Sequence, residues 1–145
     1  FADAEFGLIF HPCPNCFIPD VLPVWRECYR VLRPGGVLLA GFCNPVRFLF
    51  EDTLYVNDVL TVCNKLPYSD LDRLDDPAVR QRIVAQQDVL EFGHTLDDQI
   101  GGQLRAGFVL THMFEDRCDP ALEKLSQFID SLIATRSVKP PIKRD

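Results

Sequence analysis

Two apolar segments with an amphipathic stretch between them constrain the fold of this chain more than any other feature. The segments, residues 5–10 and 37–42, are almost continuously apolar, which is typical of parallel strands covered on both faces. Residues 20–32 carry apolar side chains at helical spacing, and the RPGG turn at 33–36 is expected to end that helix. A strand, a helix and a parallel strand form a right-handed crossover unit, so the sequence predicts an α/β fold.

The later part of the chain predicts a similar alternation of helices and strands. Thr95 and Asp98 resemble a capping box, so a helix is expected to begin there and to end at Gly107. Apolar periodicity then predicts a core strand over 108–114, a helix over 119–129 and a strand over 131–139.

Residues 44–94 interrupt this alternation and are expected to form an insertion. Two β-prone runs around Asn57-Asp58 predict a hairpin, and Asp76 followed by Pro77 predicts the start of a short helix. The predicted organisation is one unit over residues 1–43 and 95–139, an insertion over 44–94 and a tail over 140–145.

Composition argues against two classes of partner. The formal net charge is −6, and the only basic cluster is the KPPIKRD segment at the end of the chain. Nucleic-acid binding requires clustered Lys and Arg, so no nucleic acid is expected as a partner. No apolar run approaches the roughly 20 residues of a membrane helix, and the first residues lack the basic segment of a signal peptide. No membrane association is therefore expected.

The six cysteines are expected to be free thiols. Cys28, Cys43 and Cys63 lie among apolar neighbours, which is typical of buried cysteines that behave as small hydrophobic residues. Disulfides persist in oxidising compartments, so free thiols favour a reducing, cytoplasmic location.

The HPCPNC segment that follows the first strand allows three interpretations. His11, Cys13 and Cys16 could be zinc ligands, although a structural site requires four. Cys13 and Cys16 could be a redox dithiol, although the first cysteine of such a pair should begin a helix, and the predicted helix begins near Asp20. The favoured interpretation is a loop at the carboxyl end of a parallel strand, where open α/β sheets bind ligands.

The segment Arg30-Val31-Leu32-Arg33-Pro34-Gly35-Gly36 resembles a motif of the class I S-adenosylmethionine-dependent methyltransferases. There, R-V-L-[KR]-P-G-G joins a helix to an apolar strand. The segments LRAGFVLTHMFED and LIATRSVK also resemble later strands of that family. One departure is Gly7, where the family carries Asp. The likeness covers nearly the whole chain outside residues 44–94.

The resemblance implies a partial Rossmann-like methyltransferase fold. Strands four to seven of the family would form a half-sheet, with the last strand antiparallel and inserted between its neighbours, and residues 44–94 would be an α+β lid. The family's glycine-rich loop and its ribose-binding acidic residue precede the matched segment, and no G-x-G-x-G follows a strand here. The chain is therefore expected to be the C-terminal half of a longer enzyme.

The resemblance also implies the cofactor, S-adenosylmethionine, and an unidentified small-molecule methyl acceptor. The residues matching the family's cofactor loop are His11, Pro12, Cys13, Asn15 and Phe17. Asn44, Tyr68 and His94 are candidates for substrate binding. No catalytic base and no metal ligand is assigned, and the isolated fragment is expected to be inactive. The alternatives left open are a non-catalytic assembly piece, which associates with itself or with the missing N-terminal half, and a Cys-based redox or zinc domain.

Overall fold

The computed structural model describes residues 1–50, 59–85 and 88–141. The expected hairpin around Asn57-Asp58 lies outside these residues. The strands are β1 (Phe6–Pro12), β2 (Leu32–Cys43), β3 (Tyr68–Ser69), β4 (Phe92–Gly93), β5 (Val109–Asp116) and β6 (Leu132–Val138). The α-helices are α1 (Leu22–Val31), α2 (Pro77–Arg80) and α3 (Gly102–Ala106). Short 3₁₀ helices cover Pro14–Phe17, Pro45–Leu49, Asp70–Arg73 and Lys124–Gln127, and π turns cover Gln81–Ala85 and Asp97–Gly101.

A mixed four-stranded sheet organises the fold, in the order β1-β2-β6-β5. Strands β1 and β2 are parallel, which confirms the crossover unit predicted at the start of the chain. Strand β6 lies between β2 and β5 and runs antiparallel to both. The last strand of the chain is therefore inserted between its neighbours.

Helices α1 and α3 cover one face of the sheet and form the core with it. Trp25 of α1 is fully buried, and its indole Nε1 donates a hydrogen bond to the carbonyl oxygen of Asp98 at 3.0 Å. The buried apolar cluster consists of Val21, Trp25, Cys28, Leu32, Leu38, Ala40 and Phe108. Burying a large apolar side chain contributes roughly 1.5–3 kcal/mol, so this cluster fixes the helices on the sheet.

The opposite face of the sheet is more open than the sequence indicated. Leu8 and Phe10 of β1 are 56% and 72% exposed, whereas Ile9 between them packs against the core. The prediction that this strand is covered on both faces was therefore wrong for β1. Strand β5 was likewise expected in the core, but it is an edge strand with mostly exposed residues, His112 among them.

Lys139, directly after β6, forms hydrogen bonds with the RPGG segment of β2 and with the end of α1. Gly35 adopts a φ of +78°, the left-handed region that favours glycine, and its N–H donates to the carbonyl oxygen of Lys139 at 2.9 Å. The Lys139 ammonium group in turn donates to the carbonyl oxygens of Tyr29 and Leu32, at 2.7 and 2.8 Å. A cation at the last carbonyls of α1 satisfies acceptors that the helix leaves free.

The predicted helix over 119–129 is wrong, because tertiary contacts shape this segment differently. It begins with a turn in which the Asp119 carbonyl oxygen accepts the N–H groups of Leu122 and Glu123, and only Lys124–Gln127 is helical, as a 3₁₀ turn. The Glu123 side chain is buried and lies 3.1 Å from Nε of Arg47. An ion pair with a distant part of the chain overrides the local helical pattern here.

Residues 68–93 contain a small cluster of buried polar contacts. Strands β3 and β4 pair antiparallel, and the fully buried Asp70 accepts two hydrogen bonds from Nη2 of Arg82, at 2.6 and 2.7 Å. The expected helix start is confirmed, because the Asp76 side chain accepts the N–H of Ala78. That residues 44–94 are a separate unit stays a prediction.

The capping box that was expected at residues 95–98 is present. The N–H of Asp98 donates to Oγ1 of Thr95 at 3.1 Å, and the N–H of Thr95 donates to Oδ2 of Asp98 at 3.3 Å. Gly107, with a φ of +105°, ends the helical segment as expected. None of the helices in the described residues has the length and apolar character that a membrane span requires.

The Gly102→Ala substitution should destabilise the fold, because Gly102 lies against the ring of Trp25. A Cβ atom at this position would approach Cδ1 of Trp25 to 2.6 Å. We expect a loss at the upper end of the roughly 1–3 kcal/mol typical of overpacking, measured by urea denaturation. Gly101→Ala is the matched control, since its Cβ would meet the exposed ends of two flexible side chains, Asp97 and Arg105, rather than a buried ring. Equal stability of the two variants would contradict this packing.

Candidate functional site

The loop that follows β1 is held in one conformation by the neighbouring strand. Cys13 has a φ of 57° and a ψ of 24°, in the left-handed region. Its N–H donates to the carbonyl oxygen of Gly41 in β2 at 2.9 Å, and the 3₁₀ helix Pro14–Phe17 follows directly. The loop therefore leaves the sheet at the carboxyl ends of two parallel strands.

A buried hydrogen-bond network fixes this loop from behind. Asn15 is 1% exposed, and its Nδ2 donates to Oε1 of Gln99 at 2.6 Å. Its Oδ1 lies 2.7 Å from Nε2 of His11. Because the amide oxygen can only accept, Nε2 of His11 carries the hydrogen. Asn15 thus joins the β1 loop to the π turn that precedes α3.

His94 belongs to the same network. Its Nε2 lies 3.1 Å from the carbonyl oxygen of Asn15 and 2.8 Å from that of Ile18. Since carbonyl oxygens only accept hydrogen bonds, this nitrogen carries the ring hydrogen and donates it to them. His94 was a candidate for substrate binding, and the structure brings it to the cofactor-loop candidates with this nitrogen already engaged.

The solvent-facing side of the loop is formed by other candidate residues. Phe17 is 52% exposed, Pro12 is exposed and His11 is half-buried, with its ring edge-on to Trp25 at 5.5 Å. The loop therefore combines a buried polar side, centred on Asn15, with an exposed apolar side that a ligand could contact.

A cluster of sulfur atoms lies beside the loop, at the end of β2. The Sγ atoms of Cys13 and Cys43 are 3.9 Å apart, and Nη1 of Arg47 lies 3.6 Å from the Cys43 sulfur. The neighbouring Cys13 and Cys16 side chains, together with the Arg47 guanidinium, lower the pKa of Cys43. The pKa values of Cys13 and Cys16 are raised, first by the neighbouring Cys43 side chain and second by burial.

The zinc interpretation of HPCPNC finds no support in this geometry. Nε2 of His11 is engaged with Asn15, and the Cys16 thiol donates to the carbonyl oxygen of Cys13 at 3.4 Å. Across residues 1–50, 59–85 and 88–141, no three His, Cys, Asp or Glu side chains are grouped so that they could hold a metal ion.

The redox interpretation of Cys13 and Cys16 also meets a difficulty. A helix does begin immediately after Cys13, contrary to the expectation that none starts before Asp20, but it is a four-residue 3₁₀ turn. A nucleophilic dithiol requires a thiol of lowered pKa, and the pKa of both cysteines is raised. All six cysteines are free as expected, although Cys63 is exposed rather than buried.

The two remaining substrate candidates make structural contacts. Asn44 caps the 3₁₀ helix after β2, where its Oδ1 accepts the N–H of Val46, and its Nδ2 donates to the carbonyl oxygen of Asp130. The Tyr68 hydroxyl donates to Asp70 at 2.7 Å, and its pKa is raised to about 12 by burial and by this bond. Tyr68 pairs with Gly93, the neighbour of His94 in sequence.

Sequence reasoning missed Gln99 and Arg47, each of which anchors one part of the site. Gln99 is 3% exposed and lies one position after the capping box, and a buried polar residue at that place is a weak signal for a loop contact. Arg47 stands four residues after Cys43, but its second partner, Glu123, is distant in sequence. Neither contact has a local signature.

Comparison with known proteins finds that this chain is similar to methyltransferases. Residues 1–40 match a family model described as a methyltransferase domain. The chain is 45% identical over 139 residues to an uncharacterised methyltransferase, YbaJ, of Bacillus subtilis. The alignment covers 96% of this chain and 53% of that protein, so the chain spans about half the length of this curated relative.

Two solved structures share the fold at low sequence identity. One is an S-adenosylmethionine-dependent methyltransferase from Mesorhizobium loti, with a TM-score of 0.66, 14% identity and coverage of 94% of this chain and 62% of that chain. The other is a methyltransferase of the same kind from Methanosarcina mazei, with a TM-score of 0.54, 11% identity and coverage of 97% and 62%. These likenesses concern the α/β methyltransferase-like fold.

Replacing Asn15 by Ala should destabilise the loop network. The substitution leaves the His11 N–H and the Gln99 oxygen without their partner, and losing buried partners costs about 1–3 kcal/mol. Urea denaturation measures the loss. The control is Phe17→Ala in the same loop, where the exposed side chain should change stability by less than about 0.5 kcal/mol. An Asn15→Ala protein as stable as the parent would contradict the network.

Proposed function

Because the chain belongs to the class I S-adenosylmethionine-dependent methyltransferases, we propose that it forms part of an enzyme that transfers a methyl group to a small molecule. The similarity to the Bacillus subtilis methyltransferase carries this proposal, since it extends over 96% of the chain. The loop at the carboxyl ends of two parallel strands supports it, because open α/β sheets bind their ligands there.

We assign the residues of the β1 loop two different tasks toward S-adenosylmethionine. Phe17, Pro12 and His11 are exposed or half-buried, and they are proposed to contact the cofactor, together with the backbone at Cys13. Asn15 is buried and uses both ends of its amide within the protein. We therefore assign Asn15 to positioning the loop.

The side chains of the β1 loop suit one part of the cofactor and not the whole of it. An exposed aromatic ring and a proline suit the apolar parts of S-adenosylmethionine, and a rigid loop keeps them in place. The groups that hold the ribose hydroxyls and the methionine carboxylate are proposed to come from outside these 145 residues. This division is why we expect the isolated chain to be inactive.

The proposed chemistry asks little of the protein in acid or base catalysis. The bound cofactor supplies an electrophilic methyl group on a sulfonium centre, so alignment with the acceptor and exclusion of water are the main tasks. The buried network of Asn15, Gln99 and His94 holds the loop rigid, which serves alignment. No residue is assigned as a general base.

The acceptor is proposed to bind between the β1 loop and the insertion. His94 links the two, and Tyr68 lies beside it through β3 and β4, so residues 44–94 are suited to act as a lid over residues 1–43 and 95–139. Asn44 borders the same edge of the sheet at the end of β2. A net charge of −6 favours a small molecule over a nucleic acid. The free thiols favour a reducing, cytoplasmic setting.

A second candidate function follows from the exposed side of β1. Leu8 and Phe10 are exposed there, and β1 is an edge strand of the described sheet. Unpaired edges with apolar neighbours recruit other strands. We propose that this surface pairs with the N-terminal half expected from the family resemblance, or with a second copy when that half is absent.

Titration of the full-length parent protein with S-adenosylmethionine in a calorimeter tests the first proposal. We expect saturable binding, and release of S-adenosylhomocysteine when an acceptor is present. Phe17→Ala should weaken binding by about tenfold, because a partly buried ring contributes on the order of 1.4 kcal/mol. Phe128→Ala, which removes an exposed ring elsewhere, is the control. No heat and no methyl transfer would refute the proposal.

Sedimentation velocity of the 145-residue chain tests the second proposal. The sedimentation coefficient should rise with protein concentration, and replacing Phe10 by Lys should lower this dependence because a charge would enter an apolar contact. The control is Leu122→Lys, at another highly exposed apolar position. A single monomeric species at all concentrations, with micromolar affinity for the cofactor, would exclude an assembly role.

A further inference from the structure

The thiols of Cys13 and Cys43 lie side by side at the carboxyl ends of β1 and β2. The proposed function gives neither thiol a role in methyl transfer. We propose that these two cysteines are a reversible oxidation site, in which a hydroperoxide converts them into a disulfide. The proposed pair differs from the C-x-x-C pair of the sequence, because Cys16 is adjacent to Cys13 in the motif but is not its partner in the bond.

The geometry favours this pairing. The two sulfur atoms are 3.9 Å apart, and a disulfide requires about 2 Å, so an approach of roughly 2 Å is sufficient. Cys13 is held beside β2 by the hydrogen bond from its N–H to the carbonyl oxygen of Gly41. Gly41, two residues before Cys43, places no side chain in this region. The backbone therefore already holds the two cysteines within bonding reach.

The surroundings of Cys43 favour its thiolate form. The sulfur accepts a contact from the Arg47 guanidinium at 3.6 Å and lies next to the Cys13 thiol. Arg47 is itself held by the buried carboxylate of Glu123, 3.1 Å from its Nε. Both the cation and the donated hydrogen bonds lower the pKa of Cys43, and a thiolate is the nucleophilic form of cysteine.

The proposed reaction has two steps, and its atoms balance. The Cys43 thiolate attacks one oxygen of the hydroperoxide, so an S–O bond forms, the O–O bond breaks and hydroxide (or alkoxide) leaves. The Cys13 sulfur then attacks the Cys43 sulfenic acid, forming the S–S bond and releasing water that carries the Cys13 proton. Two thiols are oxidised by two electrons, and one peroxide is reduced.

The exposure of the cysteines limits which oxidant can react. Cys13 and Cys16 are half-buried, whereas Cys43 is 8% exposed. Because Cys43 is so little exposed, the proposal requires a small peroxide rather than a bulky one. Cys28, by contrast, is buried in the apolar core, where burial raises its pKa to about 11, so its thiol should remain unreacted.

The disulfide would tie the β1 loop to the end of β2. The same loop carries Asn15 and its buried network, so the bond would fix or shift the segment assigned to the cofactor. An effect on cofactor affinity rests on the proposed function. The formation of the disulfide itself does not rest on the proposed function, and it can be detected without any ligand.

Peptide mapping of the purified protein after treatment with hydrogen peroxide tests the proposal. Free thiols are blocked with N-ethylmaleimide before digestion without reductant. We expect the loss of two of the six thiols and a linked species that joins the Cys13 peptide to the Cys43 peptide, both reversed by dithiothreitol. Six free thiols after treatment, or irreversible oxidation without a link, would overturn the proposal.

Three single variants identify the bonded pair, because Cys13 and Cys16 fall in one tryptic peptide. Cys16→Ser is the matched control and should retain the linked species. Cys13→Ser and Cys43→Ser should lose it. A link that persists in Cys13→Ser would assign the bond to Cys16 and overturn the proposed pairing. Fragmentation of the linked wild-type peptide gives the same assignment without any substitution.

A double variant tests the first chemical step. In Cys13→Ser/Cys16→Ser no neighbouring thiol remains to close the bond, so peroxide should leave a sulfenic acid on Cys43 that dimedone captures. Labelling should be at least tenfold greater at Cys43 than at Cys28. Equal labelling of the two, or labelling at neither, would show that the site has no selective nucleophile.

Discussion

The buried amide of Asn15 is the interaction on which the rest of the site depends. The side-chain amide accepts a hydrogen bond from His11 and donates one to Gln99, and the backbone carbonyl oxygen of Asn15 accepts one from His94. Asn15 therefore connects the end of β1 with His94 and with the π turn that precedes α3. A buried polar group without partners costs free energy. The network is therefore stable only when these distant segments lie together, and it couples the shape of the loop to the docking of the helix.

The loop that follows β1 contacts two chemically different groups of residues. On its inner side the amide network fixes its path, and beside it the sulfur atoms of Cys13 and Cys43 are in contact. The Arg47–Glu123 ion pair extends this second cluster to the segment between β5 and β6. The proposed oxidation would link this loop to β2 through Cys13 and Cys43, while the Asn15 network keeps its contacts with Gln99 and His94.

Helices cover one face of the sheet, and the other face is partly open at β1. Leu8 and Phe10 remain exposed on β1, while the helices α1 and α3 bury the other face through Trp25. The chain spans 53% of its Bacillus subtilis relative. An open apolar face beside an edge strand is the physical basis for proposing that further protein packs there.

The sequence by itself determined the elements whose signals are local. Apolar continuity and helical spacing predicted β1, α1 and β2, and the Thr95–Asp98 capping box and Gly107 predicted the limits of the helical segment around α3, because each depends on neighbouring residues. Only the tertiary structure decided the contacts of Asn15 with Gln99 and of Arg47 with Glu123, and it replaced the expected helix over 119–129 by a turn. Such contacts join residues far apart in sequence, and no local pattern encodes which distant partner a polar side chain will meet.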